Sequence, residues 1–386
     1  MEKVFASVRL YLEISVAVAR TSQSPFPLAV IVQNQPSTKN NNYMKTNILF
    51  FLLLCNFFSY GQTPSFYDKF KHFQVFKNKD TINFHIYSKN DLKTVKKILL
   101  FVQGSGPQAM YEINEKTDTI KDNSEIGYKL EKSTYITSSN PIRLKTFPND
   151  YALILISKKS FPFERKAGDT LVSKLYYENE TLKYRVWQAD EVLKHCTKKL
   201  FTNLAKIVVL GHSEGTDVVA KLGTINKKIT HIGFWSGGAN TQFYDFALFD
   251  RKETIAGNNT EIEFKNKFEN LTATMKNIFD NPNLTDKYWF GCTYKRWSAF
   301  SEPSIESLLK IKVPIFVVHG AKDNSVPVES SLLIPIEFIR YKKTNLTYKL
   351  YPDLDHNLDI PAKNQNEEPI RKWDEIFEEF IKWCEK

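Results

Sequence analysis

The chain has 386 residues, 42% apolar and 14% aromatic, enough to bury a sizeable core in one large domain with an insertion or in two modest ones, and it is globular rather than disordered in character. Its formal charge is +10, and Lys3, Arg9, Arg20, Lys39 and Lys45 against Glu2 and Glu13 place +3 of that before Thr63. The remaining basic residues are scattered among acidic ones, which describes a solvated surface and argues against a nucleic-acid tract.

From Met44 the sequence runs MKTNILFFLLLCNFFSYGQ: a basic residue, a compact apolar stretch from Ile48 to Phe58, then Ser59-Tyr60-Gly61. This is the anatomy of a secretory signal peptide over 44–62, cleaved after Gly61 or Gln62. The apolar run falls short of the about 20 residues a bilayer-spanning helix takes, so no stable membrane anchor is expected. Leu54 before Cys55 disfavours a lipoprotein. Residues 1–43 read as an over-extended N-terminus, Met44 as the true start, and 63–386 as the exported mature domain, periplasmic or secreted. Removing the leader leaves Cys196, Cys292 and Cys384, with no Cys-x-x-Cys spacing and no nearby histidine pair. One disulfide is compatible with export, and no structural metal site is suggested.

His72 to Phe76 and Thr81 to Tyr87 predict two strands joined by the turn Asn78-Lys79-Asp80. Val95 to Gln103 predicts a buried strand ending in Gly104-Ser105-Gly106-Pro107, a loop whose backbone amides can approach a ligand. Tyr151 to Ser157 predicts another strand, and Leu182, Val186, Ala189 and Leu193 fall on one face of a helix within 180–201. Between them, Glu164, Arg165 and Lys166 lie in a loop expected at the strand-end edge, where they either orient a substrate or are simply solvated.

Ala205 to Leu222 organises the rest of the chain. Ile207 to Leu210 is a short β-branched run, Gly211-His212-Ser213-Glu214-Gly215 follows, and Val218, Val219, Ala220 and Leu222 resume at helical spacing. Gly-x-Ser-x-Gly between a strand and a helix predicts a nucleophile elbow, a strained turn that holds the Ser213 hydroxyl clear of the sheet. The amide of Glu214, in the first helical turn, would face an oxyanion growing beside the serine, with the amide of Ser105 as the second donor. Strands follow at Ile229 to Trp235 and Val313 to Val318, then a helix at Val328 to Arg340, a strand at Leu346 to Tyr351 and a closing helix at Glu368 to Lys382. The aromatic-rich segment between, about 239–310, is too long for a simple crossover and predicts a helical cap over the sheet edge.

Parallel strands alternating with helices predict a doubly wound α/β sheet with ligands beyond its C-terminal strand ends. A serine hydroxyl needs an adjacent base. His72 and His85 lie in early strands, His195 in a helix and His231 at a strand start. His212 neighbours the serine but points elsewhere, and His319 is taken as structural. His356, in the loop Asp353-Leu354-Asp355-His356-Asn357 after the last strand, remains. Asp323, just past its own strand in GAKDNSVP, is the expected orienting acid, with Asp353 and Asp355 as turn residues. Nucleophile, acid and base then follow in the order Ser213, Asp323, His356.

With QGSGP at 103–107, GHSEG at 211–215, GAKDNSVP at 320–327 and DLDHN at 353–357, the sequence resembles the α/β-hydrolase superfamily, in particular its esterase, dienelactone-hydrolase and acyl-peptidase-like branch. Gln103 stands where many members carry histidine. The resemblance implies an α/β-hydrolase fold and serine-dependent hydrolysis of a small-molecule ester or other acyl substrate, with no cofactor or metal. An exported peptidase or acyltransferase of the same fold, and a catalytically silent binding protein, are the alternatives. Oligomeric state is not readable from the sequence.

Overall fold

The computed structural model describes residues 65–122, 127–169, 171–364 and 367–386. The signal peptide expected at 44–62 and the N-terminal extension expected at 1–43 lie outside the described residues.

β1 (Lys71–Lys77) and β2 (Asp80–Tyr87) form an antiparallel hairpin, with Asn78 and Lys79 at φ 52° and 62° in the turn. Next come β3 (Lys97–Val102), β6 (Tyr151–Ile156), β8 (Lys206–His212), β9 (His231–Trp235), β12 (Ile315–Gly320) and β13 (Leu346–Tyr351). With β1 and β2 they make one eight-stranded sheet in the order β1-β2-β6-β3-β8-β9-β12-β13. β2 pairs antiparallel with β6, and every later pairing is parallel.

Consecutive residues of the central strands face opposite layers. Helix α1 (Lys174–Asn179) is short. Ile98, Leu100, Ile207 and Val209 share a core with α2 (Leu182–His195), α3 (Gly215–Ile225) and α8 (Val328–Arg340). Leu99, Phe101, Val208 and Leu210 meet Trp373, Phe377 and Phe380 of α9 (Trp373–Cys384) on the other face. Strands buried on both faces read as continuous apolar runs, which is why these were visible in the sequence.

One region departs from expectation. Where no regular element was anticipated, β4 (Tyr111–Asp122) and β5 (Gly127–Ser138) form a long antiparallel hairpin, and β7 (Glu164–Lys166) pairs alongside β4. The Glu164 and Arg165 charges are therefore engaged in local structure. Glu164 accepts hydrogen bonds from Ser65 Oγ (2.8 Å) and the Phe66 amide (2.7 Å), and Arg165 Nε donates to Glu112 (2.7 Å). Cys196, Cys292 and Cys384, for which the sequence left one disulfide open, are all free thiols.

Between β9 and β12 lie α4 (Gln242–Ile255), α5 (Glu261–Asp280), a short hairpin of β10 (Tyr288–Trp289) and β11 (Cys292–Thr293), α6 (Tyr294–Ala299) and α7 (Ser304–Leu308). Thr260 and Glu263 close a reciprocal capping box at the start of α5, so this long helix is started by its own sequence. Phe243, Leu271, Ile278, Tyr294 and Trp297 form a separate small core here, with Trp289 stacked on Phe243.

Candidate active site

The site is assembled at the C-terminal ends of five neighbouring strands, β3, β8, β9, β12 and β13. β8 ends at His212, and Ser213 follows with φ 56°, a left-handed conformation strained for a side chain with a Cβ. The elbow is held by the Ser213 amide donating to Trp235 O (3.0 Å) and the Thr216 amide donating back to Ser213 O (2.9 Å). The flanking glycines are required sterically. A Cβ on Gly211 would collide with the Gly215 backbone, and one on Gly215 with the Val102 carbonyl. Gly104 is tight but less so: a Cβ there would sit 3.1 Å from Ser213 Cβ and 3.5 Å from its Oγ.

β12 delivers Asp323. Its buried Oδ1 accepts the amides of Ser325 and Val326, both at 2.8 Å, so the carboxylate is fixed before any partner arrives. His356 Nδ1 lies 2.9 Å from Asp323 Oδ2 and 3.0 Å from Oδ1. Burial alone would raise the Asp323 pKa, but the hydrogen bond from His356 and its charge outweigh it and hold the carboxyl below the ordinary value. With Nδ1 donating to Asp323, the free imidazole nitrogen is Nε2, as a general base requires. Asp353 is exposed and pairs with Lys322 (3.0 Å), while Asp355 accepts the amides of Asn357 and Asp359 as a turn residue.

Two groups not anticipated as partners hold the histidine loop. His212 Nε2 and Ser236 Oγ both donate to the His356 carbonyl, each at 2.9 Å. Burial drives the His212 pKa down to about 3, aided by the neighbouring His356, so His212 is a neutral donor at working pH. Ser236, like Ser213, has a left-handed backbone, at φ 55°. His319 is fully buried and bonds Val326 O (3.0 Å), bracing the acid loop. Among the described residues the Ser213 hydroxyl makes no hydrogen bond, and neither the Ser105 nor the Glu214 amide donates to the backbone.

The largest feature missed by sequence reading is a buried charge cluster behind the elbow. The Glu214 carboxylate accepts from Arg185 Nη1 (2.8 Å) and Arg296 Nε (2.8 Å), with Arg296 Nη2 also in contact. Burial opposes ionisation of Glu214, but Arg296, Arg185 and Lys158 together keep its pKa below the ordinary value. Lys158 bonds Glu180 (3.2 Å). Hydropathy places such residues on a surface, and no spacing rule joins positions this far apart.

No group of three or more histidine, cysteine or acidic side chains is placed to hold a metal among the described residues. None of the described helices is long and apolar enough to cross a membrane.

The strand order, the parallel core of the sheet and the strained serine between β8 and α3 define an α/β-hydrolase fold. No family model matches the chain, and no curated protein matches it. Among solved structures it is similar to an acylaminoacyl peptidase of Pyrococcus horikoshii (11% identity, TM-score 0.47, covering 82% of this chain and 41% of that one). It is similar also to Est1E from Butyrivibrio proteoclasticus (13%, TM-score 0.43, 81% and 98%) and to an esterase of Pyrococcus furiosus (12%, TM-score 0.45, 82% and 91%). The chain thus spans about two-fifths of the length of the peptidase and nearly all of each esterase.

Proposed function

We propose that the protein is a serine hydrolase that cleaves a carboxylic ester or related acyl bond through Ser213, His356 and Asp323. The observation that carries this reading is the Asp323–His356 pair at 2.9 Å, held on the strand ends beside a serine whose backbone is strained at φ 56°. Strain at a residue whose surroundings over-determine it is a reason to look for function there.

In this reading His356 Nε2 takes the proton from the Ser213 hydroxyl as Oγ attacks the acyl carbon. Asp323 keeps the ring in the tautomer with Nδ1 protonated and stabilises the imidazolium that forms. The oxyanion is received by the amides of Ser105 and Glu214, neither of which is spent on the backbone. His356 then protonates the leaving group, and a water activated by the same nitrogen releases the acid from the acyl-enzyme. Every step is proton transfer or addition at a carbonyl, so the reading calls for no metal or cofactor.

The aromatic core between β9 and β12 supports a cap over the strand ends and an apolar portion in the substrate. Export through the 44–62 signal peptide, with a mature chain from Thr63, belongs to the same proposal. A mature N-terminus upstream of Met44 would end that part of it. The test of the chemistry is the intact mass of protein starting at Thr63 after exposure to a fluorophosphonate, beside Ser213→Ala. One adduct on the wild type and none on the variant is expected. A folded wild type left unlabelled favours a silent binding protein.

A further inference from the structure

Resting on that reading, we propose that Arg185 is a positioning residue that aligns both halves of the oxyanion hole by gripping the Gly104–Gly106 loop and the Glu214 side chain with one guanidinium.

A trans peptide points its carbonyl and the following amide in opposite directions. Arg185 Nη2 donates to the Gln103 carbonyl, and Nη1 reaches the Gly104 carbonyl at 3.5 Å. Holding the Gly104 carbonyl toward α2 therefore turns the Ser105 amide away from α2, and Gly104 itself borders Ser213. The third carbonyl of the loop, at Gly106, accepts from Lys158 Nζ at 2.7 Å. A loop with two glycines, one of them at φ 96°, has little side-chain packing to fix it, and glycine loses more conformational freedom on ordering than any other residue. Three carbonyls held by two buried cations supply the fixation that side chains do not.

The same Arg185 Nη1 donates to Glu214 Oε1 at 2.8 Å, and Glu214 carries the other expected oxyanion donor on its own amide. Arg296, on α6, holds the opposite carboxylate oxygen. Lys158, Glu180, Arg185, Glu214 and Arg296 have side chains no more than 7% exposed. Desolvating five ions costs several kcal/mol each, and apolar residues of similar volume often serve stability as well or better. Here the charges run from the oxyanion loop to the elbow, which gives them a role that apolar side chains cannot fill: orienting backbone carbonyls.

The test compares Arg185→Lys and the double variant Arg185→Met/Glu214→Gln with wild type on p-nitrophenyl butyrate, with melting temperature measured alongside. Lysine keeps a charge opposite Glu214 but loses the fork that spans two carbonyls, and the double variant removes the stranded carboxylate that would otherwise threaten folding. In both, kcat is expected to fall about 10²–10³-fold with KM changed less than about threefold, as when an oxyanion donor is lost. Affinity for an alkyl trifluoromethyl ketone, whose adduct carries an oxyanion, is expected to fall in parallel. A structural role alone would lower the melting temperature and leave these ratios intact. Folded variants with kcat within about threefold of wild type, or a loss confined to KM, overturn the proposal while Ser213→Ala still abolishes turnover. Wild-type protein inert toward both ester and fluorophosphonate overturns the underlying hydrolase reading instead.

Discussion

Replacing Asp323 by asparagine isolates what the acid does for the base. Oδ1 of Asp323 is committed to the amides of Ser325 and Val326, each at 2.8 Å, and an asparagine keeps its oxygen there because its amino group cannot accept. The amino group is then turned toward His356 Nδ1, which now has to accept rather than donate, and the ring proton moves to Nε2. A histidine protonated there cannot take the serine proton. In serine proteases the equivalent amide substitution lowers kcat about 10⁴-fold, which corresponds to about 5.5 kcal/mol at 1.36 kcal/mol per factor of ten. The geometry here, one carboxylate anchored by two amides and facing Nδ1 with both oxygens, supports a loss of that size. The assay is kcat/KM for a short-chain p-nitrophenyl ester between about pH 6 and 9, with circular dichroism to confirm folding. Asp353→Asn is the matched control: its carboxylate is exposed and, among the described residues, paired only with Lys322, a surface contact worth about 0–1 kcal/mol. It should stay within about twofold of wild type. A folded Asp323→Asn enzyme retaining more than a tenth of the activity, or an Asp353→Asn variant falling as far, would refute the tautomer reasoning.

The tethers of the His356 loop make a second prediction. His212→Phe and Ser236→Ala each remove one donor from the His356 carbonyl, and at about 1 kcal/mol per hydrogen bond each should lower kcat by about three- to tenfold with KM little changed. Steady-state kinetics at saturating ester decides it, and a double variant turning over at the wild-type rate would remove these residues from the account. The third concerns stability. Asp245, buried in the first turn of α4, has its carboxyl pushed by burial from 3.8 to about 7, with Oδ1 unpartnered among the described residues. The folded form therefore holds a proton that the unfolded chain gives up, and stability falls as pH rises between about 4 and 7, by on the order of 4 kcal/mol. Asp245→Asn should flatten that decline in urea melts. Wild-type and variant curves that run parallel across the window would show that Asp245 does not titrate there.

How much of this was legible follows from which signals are local. The predicted bounds of α8 and β13 agree with those of the structure, and the predicted elbow falls between β8 and α3. Each is announced by a run of residues that physics treats alike: β-branched strands, glycines where no Cβ fits, apolar positions at helical spacing. The order of serine, acid and base needed only strand ends. The β4–β5 hairpin was invisible because Tyr111-Glu-Ile-Asn-Glu-Lys-Thr alternates too weakly to mark a buried face. Arg185, Glu214 and Arg296 could not have been joined by any pattern. Charged residues are read as surface, and only the folded chain shows that these three share a desolvated site. His212 was judged by the direction of its side chain relative to Ser213, which left its bond to the far loop unseen.

The segment between β9 and β12 looks, by its own small core, like a cassette that could be exchanged among scaffolds to change what the proposed site accepts. Arg296 argues otherwise. It rides on that cassette, yet its guanidinium binds Glu214, the residue next to Ser213, and Gln242 at the other end of the segment accepts from it at 2.7 Å. A chimera carrying a foreign insertion would arrive with the seat opposite Glu214 empty, leaving a buried carboxylate to be neutralised by Arg185 and Lys158 alone. Recombination at this junction therefore has to move in pairs, insertion together with position 214, and sequences related through such exchanges should show the two changing hand in hand.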